Sequence, residues 1–405
     1  MGMNRAWRYR LYPSKAQQEK LNGYLRECKN LWNSLLEYTK AYYNETGKFP
    51  TRKEFYLLTK EPPLFSQVAQ NVADRLSKSL KGMMLKKNAG KKAGFPRFKP
   101  IERIKSFTYP QFGFILAERL ELSGIGSIPI KKHRALRGNI KTLTIKKMPS
   151  GKWFAIFTSE VEAPEVRRKI GTSVGLDLGI ETFAYLSDGS KIENPRYLRL
   201  AEERLKLTQR CMSKKKKRSL NRVKARRAVA VAHEKLTNRR RDFLHKVSRA
   251  LVTQYALIAV EALNIEGLAR GFLAKEVLDC SWAEFSSMLA YKAEEAGCEV
   301  VLVNPANTTS TCSSCGLVQK KSLAERWHFC PCGAEMSRDF NAAINILNRA
   351  IANSPGRVRQ SELANNSATA GTAGSQACGE ETPTHYKHNE QVSSMKQEAH
   401  AFRRG

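Results

Sequence analysis

Two cysteine pairs constrain this chain more tightly than any other feature. They are Cys312-Ser-Ser-Cys315-Gly and Cys330-Pro-Cys332-Gly, with residues 316–329 between them. Thiolates at this spacing close a tetrahedron around Zn²⁺, so Cys312, Cys315, Cys330 and Cys332 read as the ligands of a small zinc knuckle. The other five of the nine cysteines are scattered (Cys28, Cys211, Cys280, Cys298, Cys378). An odd, dispersed set is no disulfide framework, which points to a reducing compartment, the cytoplasm. Just beyond the second pair stands Ser337-Arg338-Asp339-Phe-Asn-Ala-Ala, where Asp339 opens an expected helix over 341–350.

A carboxylate set so close to a zinc knuckle prompts a search for others. Asp177 lies near the end of the short apolar strand in Val174-Gly-Leu-Asp177-Leu-Gly, and Glu261 ends Tyr255-Ala-Leu-Ile-Ala-Val-Glu261. Acids at the mouths of adjacent elements converge although distant in sequence, and three hard oxygen donors in a cleft suit Mg²⁺ or Mn²⁺. Such a site hydrolyses phosphodiesters. Each acid alone has a competitor. Asp177 in Gly-x-Asp-x-Gly resembles the phosphate-binding opening of sugar kinases and chaperone-type ATPases, but no further Gly-rich phosphate loop follows residue 190. Glu261 alone is a strand-end acid, and Asp339 alone a helix N-terminal carboxylate stabilised by the dipole.

Around these motifs the chain divides. Residues 6–12 alternate as a strand; Ser14 caps a long amphipathic helix whose Leu21, Leu25, Cys28, Trp32, Leu35 and Tyr42 form one face. That stripe reads as helical core. Helices at 51–59 and 66–85 complete a bundle, with Pro62-Pro63 between them. The basic, glycine-containing run 86–105 carries Gly94-Phe-Pro-Arg97-Phe-Lys99, in which aromatics beside cations suit either base stacking or an ordinary loop. Strands at 106–109, 114–117, 119–122, 127–130, 141–147 and 153–161 make an all-β module, a small barrel that residues 9–12 join. A charged linker, 165–169, precedes strands at 174–178 and 182–186. Helices then occupy 195–250, a strand 255–261, a helix 282–297 and a strand 299–304. From 354 onward the composition of Ser, Thr, Ala, Gly, Gln and Glu predicts a disordered tail.

Charge narrows the partner. The net charge is +33, with a pI of about 10.0, and such an excess faces a polyanion, nucleic acid before membrane. Residues 195–250 hold 20 Lys and Arg against 4 Asp and Glu, so about half the excess lies in that helical stretch. Its densest point, Lys214, Lys215, Lys216, Lys217 and Arg218, falls where two helices turn. No apolar run approaches the ~20 residues of a membrane-spanning helix, and residues 1–13 lack a signal-peptide layout.

Taken in order, Val174-Gly-Leu-Asp177-Leu-Gly, Ile258-Ala-Val-Glu261, the two cysteine pairs and Arg338-Asp339-x-Asn341-Ala-Ala resemble the split RuvC nuclease of transposon-encoded TnpB (OrfB) proteins and of the related miniature type V CRISPR effectors. Arg8-Tyr-Arg-Leu-Tyr-Pro13, Gly94-Phe-Pro-Arg-Phe98 and Asn238-Arg239-Arg240-Arg-Asp-Phe-Leu-His245 are also similar to that family. The resemblance runs from about residue 5 to 350. It implies a multidomain α+β protein: a wedge-type small β-barrel (1–13 and 86–168) with an inserted helical recognition bundle (14–85), an RNase H-like RuvC nuclease domain (169–304 and 337–353) interrupted by a zinc knuckle (305–336), and the tail (354–405). It implies an RNA-guided DNA endonuclease with guide RNA (reRNA or omega RNA-like) and target double-stranded DNA as partners, no membrane, and a cytoplasmic, nucleoid-associated location. Asp177, Glu261 and Asp339 would hold catalytic Mg²⁺ or Mn²⁺, and zinc would be structural. Gln70 and Thr108 correspond to readers of a short motif beside the target, while Arg97, Lys214–Lys217, Arg218, Arg239, Arg240 and Arg338 are candidates for backbone contacts.

This chain departs from the family pattern twice. Cys-Pro-Cys is one residue shorter than Cys-x-x-Cys, so the turn must be tight, with Gly333 available to make it; His328 is the conceivable substitute ligand but is expected as an exposed structural histidine. Ser337 stands where many relatives carry Asp, which leaves Asp339 as the match to the catalytic acid. Three alternatives compete: a cleavage-inactive guided repressor, which the intact acid trio opposes; a transposase acting without a guide; and a zinc-finger regulator, which would leave some 300 residues without a task.

Overall fold

The computed structural model describes residues 2–59, 64–162, 169–322 and 325–352. The expected break at Pro62-Pro63, most of the linker at 165–169 and the expected disordered tail from 354 lie outside the described residues.

Strand β1 (Gly2–Leu11) turns Trp7, Tyr9 and Leu11 inward at the two-residue period of a strand. It starts earlier than the sequence pattern indicates. Ser14 then caps α1 (Lys15–Thr46) in a reciprocal box with Gln17, and Gly47 closes the helix at φ 68°. Helices α2 (Arg52–Leu57) and α3 (Ser66–Asn88) pack beside it. Next come β2 (Ser106–Tyr109), β3 (Phe114–Leu116), β4 (Arg119–Leu122), β5 (Gly126–Lys131), β6 (Asn139–Lys147) and β7 (Trp153–Glu162).

These strands and β1 form one antiparallel sheet of seven strands, in the order β2-β6-β7-β1-β5-β4-β3. β1 pairs with β7 along its whole length, from Gly2↔Glu162 to Leu11↔Trp153, so α1–α3 are inserted after the first strand of this sheet. The sheet curls on itself: Tyr109 of β2 lies 6.3 Å from the Phe114 ring of β3, which in turn meets Phe157 at 6.2 Å. Its two edge strands are not neighbours in the ladder, so closure is near but incomplete.

The second half comprises β8 (Ser173–Leu178), β9 (Thr182–Leu186), β10 (Lys191–Glu193), α4 (Tyr197–Ser213), α5 (Leu220–Gln254), β11 (Leu257–Glu261), α6 (Ile265–Leu268), α7 (Ala274–Cys280), α8 (Trp282–Ala296), β12 (Glu299–Val303), the hairpin β13 (Trp327–Phe329) and β14 (Glu335–Ser337), and α9 (Arg338–Ala352). Its five-stranded sheet has the order β10-β9-β8-β11-β12. β8, β9 and β10 run antiparallel, whereas β8, β11 and β12 are parallel. Parallel neighbours require long crossovers; α4–α5 and α6–α8 supply them. The parallel register also brings the carboxyl ends of β8 and β11 to one edge of the sheet, where open α/β sheets bind ligands.

Helix α9 lies on β8 with its backbone almost touching the strand. A Cβ at Gly175 would fall 2.1 Å from the carbonyl oxygen of Ala343 and 2.8 Å from the amide of Leu347. Neither atom can yield, so only glycine fits. The helix answers with small residues, Ala342, Ala343 and Ala350, buried around Ile346. Gly175→Ala is therefore expected to cost about 1–3 kcal/mol through overpacking and to lower Tm in thermal unfolding. Gly82→Ala, in α3 with open space around the new methyl, should instead be neutral or stabilising by up to about 1 kcal/mol.

Candidate active site and cysteine cluster

Gly175 and Asp177 are two residues apart on β8 and so share the sheet face on which α9 rests. Asp339, in the first turn of α9, precedes by one turn the Ala343 carbonyl that covers Gly175. Glu261 ends β11, whose Val260 pairs with Leu176. The three acids thus come from a strand, its parallel neighbour and the helix above them.

Their electrostatics record the convergence. Burial, followed by the negative charges of Glu261 and Asp339, raises the Asp177 carboxyl from 3.8 to about 8, with Arg338 pulling the other way. Burial also raises Glu261, opposed by a hydrogen bond from the Thr308 hydroxyl and by Arg349. Arg338 contacts Asp339 at 3.4 Å. The carboxylates interact at longer range than a closed ligand shell, because among the described residues only the four cysteines have ligand atoms all within 4.8 Å of one another.

In that cluster Cys312 Sγ lies 3.8 Å from Cys332 Sγ, and Cys315 Sγ lies 3.5 Å from Cys330 Sγ. A zinc tetrahedron with Zn–S bonds of about 2.3 Å has an edge of about 3.8 Å, so the donors fit Zn²⁺. Two tight turns shape the set. The Gly316 amide donates to the Cys312 carbonyl at 3.0 Å and the Gly333 amide to the Cys330 carbonyl at 2.9 Å, both glycines at positive φ (78° and 88°). The shortened Cys-Pro-Cys therefore still delivers Cys332 to the cluster.

His328 corrects an expectation. It is fully buried, because the alternation of β13 turns Trp327 and Phe329 outward and the imidazole inward. There it bonds Lys321 through Nδ1 and lies outside the four-thiol group. Burial raises the Cys312 thiol, but the neighbouring His328 imidazole and the Cys315 and Ser314 amides outweigh it and bring the thiol to about 5. A thiol so poised is ready to serve as a thiolate ligand.

The segment between β12 and the knuckle is tied to α9 by two asparagines one turn apart. Asn341 Nδ2 donates to the Thr311 carbonyl at 2.7 Å, and Asn341 Oδ1 accepts the Ser313 amide at 2.9 Å. Asn345 Nδ2 reaches the carbonyls of Thr308 (2.9 Å) and Thr311 (2.7 Å). Thr308, Asn345 and the burial of His328 escaped the sequence reading. Two asparagines at i and i+4 on the buried face of a small-residue helix were the available signal. Thr308, inside a run of hydroxyl residues, offered none.

The expected nucleic-acid contacts are placed unevenly. Lys214, Lys215, Lys216, Lys217 and Arg218 are all exposed in the α4–α5 turn, and Arg239 is exposed on α5. Arg240 is paired with Asp279 at 2.6 Å. Arg338 is largely buried beside the acids. Arg97 is exposed, its carbonyl accepting the Trp32 indole N–H at 3.4 Å. In the same loop Phe95 packs on Tyr43 and Phe49, whereas Phe98 is exposed under the Lys40 ammonium. Gln70 is half-buried on α3. Thr108 is buried, with its hydroxyl engaged by Arg75 at 2.6 Å and Thr144 at 2.8 Å.

Three family models match successive parts of the chain. Residues 1–48 match a helix-turn-helix domain of OrfB proteins, 156–271 a probable transposase of the OrfB type, and 282–346 a Cas12f1-like TNB domain. Where the first of these applies, the structure has strand β1 and the single helix α1. A Streptomyces pristinaespiralis protein named "Putative RNA-guided DNA endonuclease" is 33% identical over 372 residues, covering 86% of this chain and 90% of its own length. The chain belongs to the TnpB (OrfB) family. A further TnpB-type relative, Escherichia coli (strain K12) "Putative RNA-guided DNA endonuclease InsQ", is 29% identical and covers 84% of this chain and 91% of its own. The fold of this TnpB-family chain is similar to that of Cas12f1 in its complex with sgRNA and target DNA, with a TM-score of 0.55 over 83% of each chain at 14% identity. Among the described residues, no helix is long and apolar enough to cross a membrane.

Two outcomes are expected. Wild type is expected to hold one zinc ion per chain and Cys332→Ser fewer, as read by atomic emission. Without added Mg²⁺, folded Asp177 holds its proton up to about 8 while the unfolded carboxyl releases it near 3.8. That contribution to stability is full below the lower value and lost as pH rises through the upper one. Asp177→Asn should therefore gain in Tm relative to wild type as pH is raised across this window; a difference independent of pH would show that Asp177 titrates normally.

Proposed function

We propose that this protein is an RNA-guided DNA endonuclease whose phosphodiester hydrolysis takes place at Asp177, Glu261 and Asp339 with Mg²⁺ or Mn²⁺. The observation that carries this reading is a buried Asp177 raised further by the charges of Glu261 and Asp339, at the carboxyl edge of a parallel strand pair, in a chain of the TnpB family. A buried carboxyl group beside two further acids is costly alone and fits a divalent cation with hard oxygen ligands.

When bound, the ion neutralises charge that builds on the phosphoryl oxygens and makes water nucleophilic at neutral pH. The chain's own residues hold the ion and order the site. Asp177 gives up its proton as the cation takes its place, which makes ion affinity rise with pH up to about 8. Arg338 offsets part of the negative charge beside Asp339.

The remaining parts follow from the same reading. Residues 1–13 and 86–168, which contain the nearly closed sheet, serve as the wedge, 14–85 as the recognition bundle with Gln70 facing the adjacent motif, and 169–304 with 337–353 as the RNase H-like nuclease domain. The order of three antiparallel strands followed by two parallel ones supports the last assignment. The zinc knuckle, 305–336, lies next to the acids. The exposed cations at Lys214–Lys217, Arg218 and Arg239 neutralise backbone phosphates of guide RNA or target DNA, while base pairing reads the sequence.

Asp177→Ala and Glu261→Ala should each reduce Mg²⁺-dependent cleavage below detection while guided DNA binding stays within a few-fold of wild type, measured by gel assays with the co-purified RNA. Both variants still cutting would place the chemistry elsewhere. RNA isolated with the protein should be a discrete structured species with a variable 3′ end; random RNA alone would remove the guide from the reading.

A further inference from the structure

We propose that Thr308 is a positioning residue for Glu261, and that Asn345, on the helix carrying Asp339, holds Thr308 in place. The inference rests on the nuclease reading for its function but on its own geometry for its substance. Thr308 is 2% exposed in a loop that otherwise faces solvent. Its hydroxyl donates to Glu261 Oε1, with the Pro305 carbonyl at 3.1 Å as a second neighbour. A hydroxyl has one proton and both neighbours are acceptors, so the ionised carboxylate, the stronger of the two, accepts the hydrogen bond. One oxygen of Glu261 is then occupied by Thr308 and the other is left for a cation.

The position of the hydroxyl is itself determined. The Thr308 carbonyl accepts from Asn345 at 2.9 Å, and the same amide reaches Thr311 at 2.7 Å. Asn341, one turn closer to Asp339, binds both Thr311 and Ser313. Residues 308–313, Cys312 among them, are thereby laid along the first two turns of α9. Glu261, from a strand, is referenced through Thr308 to the helix that carries Asp339. Three mutually repelling carboxylates would otherwise relax apart, and a chain of directed hydrogen bonds between two of their elements opposes that.

The test is divalent-ion binding by the full-length protein freed of nucleic acid, followed by the electron paramagnetic resonance of free Mn²⁺, alongside Mg²⁺-dependent cleavage by the guide-loaded protein. Removal of a hydrogen bond to a charged group should weaken binding about tenfold. Thr308→Val, close to isosteric, is expected to raise the Mn²⁺ Kd by that factor and the half-saturating Mg²⁺ likewise, with the rate at saturating Mg²⁺ within about threefold of wild type. Thr308→Ser, which keeps the hydroxyl, should stay within about twofold of wild type in both. Should Thr308→Val fail to fold, Thr308→Ala takes its place. Equal Mn²⁺ affinity in Val, Ser and wild type overturns the proposal, as does a Ser variant as weak as Val. Wild type that binds Mn²⁺ in the expected ranking but does not cut would defeat the nuclease reading and leave the positioning role standing. Absence of saturable Mn²⁺ binding in wild type would defeat both.

Discussion

A helix backbone resting directly on Gly175 is the constraint from which the site follows. The approach is too close for any Cβ, and it places the first turn of α9 over the strand that carries Asp177. Helix and strand are then so near that Asp177 feels the charge of Asp339, and the parallel neighbour β11 brings Glu261 to the same edge. Close packing enforces a repulsion that the protein must balance. It does so locally, with Arg338 beside Asp339, the Thr308 hydroxyl on Glu261, and Arg349 nearby. The residual imbalance appears as a raised Asp177, the state expected of a site that a divalent cation completes.

The knuckle is joined to the same helix. Its cysteines meet at the separations of a zinc tetrahedron, and its first strandless segment is clamped by Asn341 and Asn345. Metal binding at the thiols and the placement of Glu261 are thus connected by about two helical turns of hydrogen-bonded backbone. The tight Cys-Pro-Cys turn is compatible with this because Gly333 takes a left-handed conformation and closes the loop within one residue fewer.

The two sheet-containing halves meet through specific polar contacts. Arg5 of β1 pairs with Glu295 of α8, Lys152 with Glu234 of α5, and the Arg227 guanidinium donates to the Ser150 carbonyl. Most cations are not used this way. The run at Lys214–Arg218 lies exposed at a helix turn, where water screens its charge.

The sequence by itself picked out the three acids as candidates, the four clustered thiols and the order of the longer strands and helices. Each depends on local patterns, namely two-residue alternation, a cap at Ser14, and cysteine spacing, that need no knowledge of distant contacts. It also carried the family resemblance, because motifs in fixed order survive where the fold does. Other features were decided by tertiary structure alone. Whether the first sheet closes depends on how far its strands coil, and burial of His328 depends on what covers one face of a three-residue strand. Thr308 became a partner of Glu261 because Asn345, 37 residues away, holds its carbonyl. A hydroxyl in a polar loop has many candidate partners, and only the tertiary structure brings Glu261 within reach of this one.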